Sequence, residues 1–145
     1  TARDAHDIVL AAGGVACAVG SLERLRELVP GSGPVALVAD RRVLGIYGAE
    51  AQLALGDRLR TTIELPSGEE AKSVASLERV WAELKLDRKS TLVALGGGCT
   101  TDVAGFAAAT YMRGIPWVSV PTTLVGQVDA ETWTSGATPA DCARR

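Results

Sequence analysis

Three consecutive glycines, Gly96, Gly97 and Gly98, follow a short apolar run at residues 92–95 and come directly before a helix pattern of small residues. A strand, a glycine turn and a helix N-terminus in this order leave backbone N–H groups and the positive end of the helix dipole free to face an anion. Glycine suits such a turn because a Cβ atom would block the approach of a phosphate and disfavour a positive φ. The segment therefore predicts a strand–turn–helix unit with a nucleotide phosphate at the turn.

Patterns typical of strands and helices alternate along the chain. Short apolar or alternating runs predict strands at residues 8–11, 15–19, 34–39, 59–65, 92–95 and 117–120. Longer patterns predict helices, the first of them capped by Ser21, at residues 22–29, 42–55, 69–86 and 101–112. In the third helix the predicted apolar stripe is Val74, Leu77, Val80, Trp81 and Leu84. This alternation predicts an α/β fold: a Rossmann-like parallel sheet with helices on both faces, its first two strands forming a hairpin.

Polar residues follow three of these strands at the point where each strand ends. Asp40 closes the strand at 34–39, the glycine turn follows the strand at 92–95, and Thr122 and Thr123 come after the strand that Pro121 ends. Ligands of doubly wound sheets bind beyond the carboxyl ends of the strands. We therefore expect these three loops to form one binding site.

The glycine turn matches neither of the two commonest phosphate motifs. GGGCTTD lacks the lysine of a Walker A loop, and G-x-G-x-x-G is absent, although Gly96, Gly98 and Gly105 would give a similar surface for close approach. The steric needs of a tight strand–helix connection explain a glycine turn equally well. Asp102, predicted in the first helical turn, favours a ligand because its carboxylate could accept hydrogen bonds from a hydroxyl or carboxamide. Capping of its own helix is the alternative.

Other polar residues near these loops also have two interpretations each. Asp40 could accept hydrogen bonds from ribose hydroxyls, as an acidic residue does in NAD sites, or simply cap the next helix. In PSGEEAK, Lys72 could reach a phosphate and Glu69 or Glu70 an adenosine hydroxyl, while a solvated first helical turn explains these residues equally well. Cys99 could be a reactive thiol, because a helix N-terminus favours a thiolate, or a small side chain that fills the turn.

Composition argues against several classes of function. With a formal net charge of −2 and a pI near 5.4, the chain has no electrostatic footprint for nucleic acid. No apolar run reaches the roughly 18 residues that cross a bilayer, and the N-terminal residues lack the order of a secretory signal. These features predict a cytoplasmic protein without membrane contact. Three separated cysteines and a single histidine, His6, predict neither a disulfide framework nor a metal site within the chain.

Three signatures together resemble the 3-dehydroquinate synthase family of sugar-phosphate cyclases. They are PSGEEAKS at residues 66–73, LVALGGGCTTDVAGFAAATYMRG at 92–114 and VPTTLVGQVDA at 120–130. Weaker similarity extends back to about Ile8, and the resemblance corresponds to the family's N-terminal, NAD-binding domain. We therefore expect an NAD-binding α/β domain at residues 1–130 and a divergent, disordered tail at 131–145.

The resemblance implies a reaction, its cofactors and a set of site residues. The family converts a seven-carbon keto-acid phosphate, DAHP, into 3-dehydroquinate with loss of phosphate, in the shikimate pathway to chorismate and the aromatic amino acids, using NAD and a zinc or cobalt ion. Asp102 is expected beside the nicotinamide, Asp129 at a substrate hydroxyl near the metal, and Arg113 at the substrate phosphate across a homodimer interface. By position, the residues expected to bind NAD are Asp40, Ser67, Gly68, Glu69, Glu70, Ala71, Lys72, Gly97, Gly98, Cys99, Thr100, Thr101, Asp102, Thr122 and Thr123.

The sequence departs from the family after Ala130. The family continues into a Gly-Gly-Lys-Thr run whose lysine touches NAD and substrate, whereas ETWTSGATPADCARR contains no lysine. The helical domain that supplies a glutamate and two histidines to the zinc is absent, so we expect a truncated cofactor domain that is inactive alone. The alternatives are a cyclase of the valiolone or aminocyclitol type, a glycerol-dehydrogenase-like oxidoreductase, and a non-catalytic NAD-binding or dimerisation module.

Overall fold

Six strands form a mixed sheet in the computed structural model, which describes the backbone of residues 6–11 and 15–20 and all of residues 22–123. The strands are β1 His6–Ala11, β2 Val15–Gly20, β3 Val35–Asp40, β4 Leu59–Leu65, β5 Thr91–Gly96 and β6 Trp117–Pro121. Their order across the sheet is β2-β1-β6-β5-β3-β4. β3 to β6 pair in parallel, while β1 is antiparallel to both β2 and β6. The predicted parallel α/β sheet is confirmed, with the predicted hairpin as its antiparallel edge.

The connections between the strands are mostly helical. The helices are α1 Leu25–Leu28, α2 Arg41–Val43, α3 Ala49–Leu55, α4 Val74–Leu84 and α5 Gly98–Thr110. Single 3₁₀ turns lie at Leu22–Arg24, Gly56–Arg58, Gly68–Ala71 and Tyr111–Arg113. A π-helical stretch, Leu44–Gly48, joins α2 to α3, so the predicted helix at 42–55 is present with a wider turn where its two glycines lie. Ser21, the predicted cap of the first helix, lies outside the described residues.

The single helix predicted at residues 69–86 is wrong, because the chain forms two separate elements there. The 3₁₀ turn Gly68–Ala71 ends at Lys72, and Ser73 then caps α4 by accepting a hydrogen bond from the N–H of Ser76 at 3.2 Å. A serine hydroxyl at this position offers the backbone an alternative to helical hydrogen bonding. Val74 is consequently exposed instead of joining the apolar stripe, whereas Val80 and Leu84 are buried as expected.

Apolar layers cover both faces of the sheet, which confirms the predicted arrangement of helices. α4 and α5 pack on one face, and the segment with α1 and the helix from α2 to α3 pack on the other. α5 approaches β6 closely because Gly105 faces Trp117, where an added Cβ would lie 3.0 Å from the indole ring. Gly105 therefore serves helix–strand packing, and its expected place on a ligand-facing surface is wrong.

The parallel strands give the sheet two distinct edges. We call the edge where β3 to β6 end the carboxyl edge, and the edge where they begin the amino edge. α5 connects the parallel strands β5 and β6, so it runs from the carboxyl edge back to the amino edge. A rise of about 1.5 Å per residue separates its two ends by roughly 20 Å.

Candidate cofactor-binding site

The register of the parallel strands brings the predicted loops together. Asp40 pairs with Leu65, and Gly96 pairs with Pro121, so the chain leaves all four strands at the same edge. The N–H of Thr122 donates a hydrogen bond of 2.8 Å to the carbonyl of Gly96, which ties the end of β6 to the glycine turn. We define the carboxyl-edge site as Asp40, residues 67–72, residues 96–102, Thr122 and Thr123.

The N-terminus of α5 is open within this site. Gly97 is the N-cap residue, and a glycine has no side chain with which to cap the helix. The first N–H groups of an α-helix have no acceptor within the helix. A Cβ added at Gly98 would meet no heavy atom within 4 Å, and one at Gly97 would lie 3.2 Å from Cγ2 of Thr123. The geometry therefore fits a phosphate group that approaches the backbone closely, as at other helix N-termini.

Gly96 is required for a different reason. Its φ is +157°, and an added Cβ would lie 3.0 Å from the Cβ of Thr100. The threonine is buried against the glycine, so the end of β5 and the first turn of α5 fit together only without a side chain at residue 96. Both explanations of the triple glycine are thus supported, steric fit at Gly96 and open space at Gly98, while Gly97 lies close to Thr123.

Asp40 is 8% exposed and joins three elements. One carboxylate oxygen accepts hydrogen bonds from the N–H of Val43 at 2.9 Å and the hydroxyl of Ser67 at 3.2 Å. The other accepts a long hydrogen bond, 3.5 Å, from the hydroxyl of Thr100. Asp40 therefore caps α2. Its contact with a ribose stays a prediction. Capping does not prevent this contact, because each carboxylate oxygen can accept more than one hydrogen bond.

A charged cluster links the loop at 67–72 to α5. The ammonium of Lys72 lies 3.1 Å from a carboxylate oxygen of Asp102 and 3.7 Å from one of Glu69, and the thiol of Cys99 donates to Glu69 at 3.3 Å. The pKa of Lys72 is raised, mainly by its hydrogen bond to Asp102 and next by the negative charge of that carboxylate. The pKa of Cys99 is also raised, mainly by burial of the thiol and next by its hydrogen bond to Glu69. Both effects favour the thiol over the thiolate, which argues against the reactive thiolate considered from the sequence.

α5 begins three residues before the predicted start, and this changes the position of Asp102. The predicted helix starts at Thr101, whereas the observed one starts at Gly98. Asp102 consequently lies one full turn inside the helix, on the same side as Gly98. It does not cap α5, so the capping alternative is wrong, and its carboxylate is 47% exposed beside the open N-terminus.

The other residues predicted to contact the cofactor differ in whether their side chains are exposed or buried. Ser67, Gly68, Glu69 and Glu70 are exposed on the loop between β4 and α4. The side chains of Ala71, Thr100 and Thr101 are buried, and the hydroxyl of Thr101 donates to the carbonyl of Gly98 at 3.1 Å. A ligand would therefore meet these three residues mainly through their main chain.

The two predicted catalytic residues do not join this site within the described part of the chain. Arg113 follows α5 at the amino edge, roughly 20 Å along the helix from Gly98. It is exposed, with a φ of +69°. Asp129 lies outside the described residues, as does the predicted tail. The sequence signal placed Arg113 in one motif with the glycine turn, although the length of α5 separates them.

No described group of three or more His, Cys, Asp and Glu side chains could hold a metal ion. The described residues therefore do not fit the zinc or cobalt ion that the resemblance implies, and we derive no step through a metal. None of the described helices has the length and apolar character to span a membrane.

The chain is similar to bacterial 3-dehydroquinate synthases. The family model for the N-terminal part of 3-dehydroquinate synthase matches residues 62–138. The chain is 46% identical over 117 residues to 3-dehydroquinate synthase of Bordetella pertussis, covering 77% of this chain and 33% of that protein. It is 44% identical over 122 residues to the enzyme of Symbiobacterium thermophilum, covering 81% and 34%. The chain thus spans about a third of the length of the curated relatives it matches.

Solved structures of related cyclases share the fold. The 2-epi-5-epi-valiolone synthase from Streptomyces hygroscopicus, with NAD⁺ and Zn²⁺ bound, is 30% identical with a TM-score of 0.63, covering 73% of this chain and 31% of that one. A 2-deoxy-scyllo-inosose synthase in complex with carbaglucose-6-phosphate, NAD⁺ and Co²⁺ is also 30% identical, with a TM-score of 0.62, covering 72% and 30%.

Proposed function

Because this chain belongs to the 3-dehydroquinate synthase family, we propose that it supplies the NAD-binding part of an enzyme that converts DAHP into 3-dehydroquinate with loss of phosphate. The observation that carries the proposal is the N-terminus of α5, which begins at glycines and has open space for a pyrophosphate next to Gly98. The matched residues 62–138 include this turn and the loop at 67–72. Higher identity to 3-dehydroquinate synthases than to the two other cyclases favours this reaction over theirs.

In this proposal the carboxyl-edge site holds NAD along the ends of the strands. The first N–H groups of α5 bind the pyrophosphate, Asp40 and the loop at 67–72 face the adenosine, and Asp102 accepts a hydrogen bond from the nicotinamide carboxamide. Thr122 and Thr123 close the side next to β6. When bound, NAD would accept a hydride from the substrate carbon that bears a hydroxyl and later return it, so it must be held and oriented without being consumed. The NAD⁺ in the two cyclase structures supports the same ligand here.

The substrate contacts are also part of the proposal. Arg113 lies too far from the carboxyl-edge site of its own chain to reach a ligand there, so we propose that it binds the sugar phosphate held by a second copy, in a homodimer. Its planar guanidinium suits bidentate binding of a phosphate. Asp129 would contact a substrate hydroxyl, and the NAD-binding domain would comprise residues 1–130.

Titration of the purified chain with NAD tests cofactor binding directly. We expect saturable binding by calorimetry, with NMR shift changes concentrated on the amides of Gly98, Cys99 and Thr100. Absence of binding to a folded sample at millimolar NAD would overturn the proposal.

A chimaera tests the reaction. The segment of the Bordetella pertussis enzyme that aligns with residues 22–123 would be replaced by these residues, and phosphate release from DAHP would be measured. We expect activity within about tenfold of the parent, since this level of identity preserves the fold. The same chimaera with Gly97→Val is the matched inactive control. A folded chimaera that binds NAD but releases no phosphate would contradict the proposed reaction while leaving NAD binding intact.

A further inference from the structure

The carboxylate of Asp102 repels any anion that binds at the N-terminus of α5. Asp102 lies one turn beyond Gly98 on the same side of the helix, and its carboxylate is half exposed. A negative charge so near the open N–H groups opposes the helix dipole that attracts a phosphate. Glu69 adds a second carboxylate close by, through its contact with Cys99. The local field at the glycine turn is therefore less favourable to an anion than the helix alone would make it.

Lys72 is placed to cancel this effect. Its ammonium lies 3.1 Å from a carboxylate oxygen of Asp102 and 3.7 Å from one of Glu69. One positive charge therefore lies next to both carboxylates, where the loop at 67–72 meets α5. The contact with Asp102 is the shorter one and also raises the pKa of Lys72, so the lysine stays charged at neutral pH. The ammonium of Lys72 thus uses one of its three N–H donors on Asp102 and has Glu69 as a second carboxylate neighbour.

We propose that Lys72 is a positioning residue that acts through Asp102: its ammonium neutralises and orients this carboxylate, so that the anionic dinucleotide can bind at the N-terminus of α5. The inference rests on the proposed function of the site. It differs from the sequence-based expectation that Lys72 binds a phosphate directly, and the two roles predict opposite results when both charges are removed.

The experiment is a double-mutant cycle on the full chain, with ADP-ribose as the probe because it carries the pyrophosphate but no nicotinamide. Lys72→Met should weaken ADP-ribose binding roughly tenfold, because an uncompensated carboxylate then faces the phosphates. Lys72→Met combined with Asp102→Asn should restore the affinity to within roughly threefold of the unmodified chain. Lys72→Arg, which keeps the charge, should bind nearly normally.

Two controls separate this role from a structural one. Lys89→Met removes one positive charge at the amino edge and should leave the affinity unchanged, and the NMR titration of the Lys72 side chain should move to lower pH in Asp102→Asn. A double variant that binds as weakly as Lys72→Met would overturn the inference and indicate direct contact with the phosphate. If the unmodified chain binds neither NAD nor ADP-ribose, the proposed function fails, and this inference fails with it.

Discussion

The two edges of the sheet use their polar side chains in different ways. At the amino edge, the guanidinium of Arg58 donates to the carbonyls of Gly33, Val29 and Pro30 at 3.0–3.2 Å. At the carboxyl edge, the side chains of the loop at 67–72 contact other side chains, as Lys72 does with Asp102. Arg58 thus satisfies main-chain carbonyls at the amino edge, whereas α5 at the other edge begins at a glycine, which has no side chain to cap it.

This difference shows why open space alone does not identify the functional site. A cleft of about 540 Å³ lies at the amino edge, lined among others by Arg26, Asp57 and Arg58. Arg26 is paired with Asp57 at 2.7 Å, and Arg58 is engaged with three carbonyls, so these groups already have partners within the fold. The first N–H groups of α5 have no acceptor within their own helix, so a ligand at the carboxyl edge can supply one.

The largest effect should come from adding a branched side chain to the glycine turn. Gly97→Val should weaken NAD binding at least 100-fold. This corresponds to a loss of about 3 kcal/mol of binding free energy. The residue has a φ of −81°, which any side chain adopts, so the fold should survive with a small shift of Thr123. Calorimetry gives the affinity, and circular dichroism with a thermal melt checks the fold.

Gly97→Ala provides a graded control for this prediction. Its smaller side chain should weaken binding less than valine does. A Gly97→Val variant that loses its cooperative melt would indicate a structural glycine, and one that keeps its affinity would place the phosphate elsewhere.

At the amino edge the expected effect is on stability instead of binding. Arg58→Met should lower the free energy of unfolding by about 2 kcal/mol, because three half-buried carbonyls lose a charged donor. Affinity for NAD should not change. Urea denaturation measures the loss, and Arg60→Met, two residues away on β4, is the matched control. A change in NAD affinity without loss of stability would contradict the separation of the two edges.

Tyr111→Phe should have a smaller effect of the same kind. The hydroxyl accepts a hydrogen bond from the N–H of Leu86 at 3.2 Å and donates one to its carbonyl at 3.0 Å. Both are lost in the variant while the ring remains, so we expect about 1 kcal/mol of destabilisation. Urea denaturation again gives the value. Unchanged stability would show that water replaces both contacts.

The sequence predicted the parallel sheet and the convergence of loops because both follow from short-range patterns and connectivity. It failed where one side chain decided between two backbone paths. Ser73 caps α4 and thereby divides the helix predicted at 69–86. α5 starts at Gly98, after a glycine N-cap, and not after one of the capping side chains from which a helix start is usually predicted. The pairing of Lys72 with Asp102 was not predictable either, since these residues are distant in the chain and meet only because the loop at 67–72 packs against α5.

The last prediction concerns Cys99, where two influences on one thiol compete. The N-terminus of α5 favours a thiolate, whereas burial and the hydrogen bond to Glu69 favour the thiol and raise its pKa. A raised pKa means that the fold favours the protonated form, so this contribution to stability is present below the pKa of the unfolded thiol and is lost as pH rises through the higher folded value. Alkylation by iodoacetamide at pH 8 should therefore be about threefold slower at Cys99 in the folded chain than in urea, where the same thiol serves as its own reference. Peptide mapping by mass spectrometry separates it from Cys17 and Cys142, and Glu69→Gln should recover part of the rate because it removes the charge next to the thiol while leaving burial in place. Faster alkylation of Cys99 in the folded chain than in urea would show that the helix N-terminus outweighs its carboxylate neighbours, and the carboxyl edge would then attract anions without the help of Lys72.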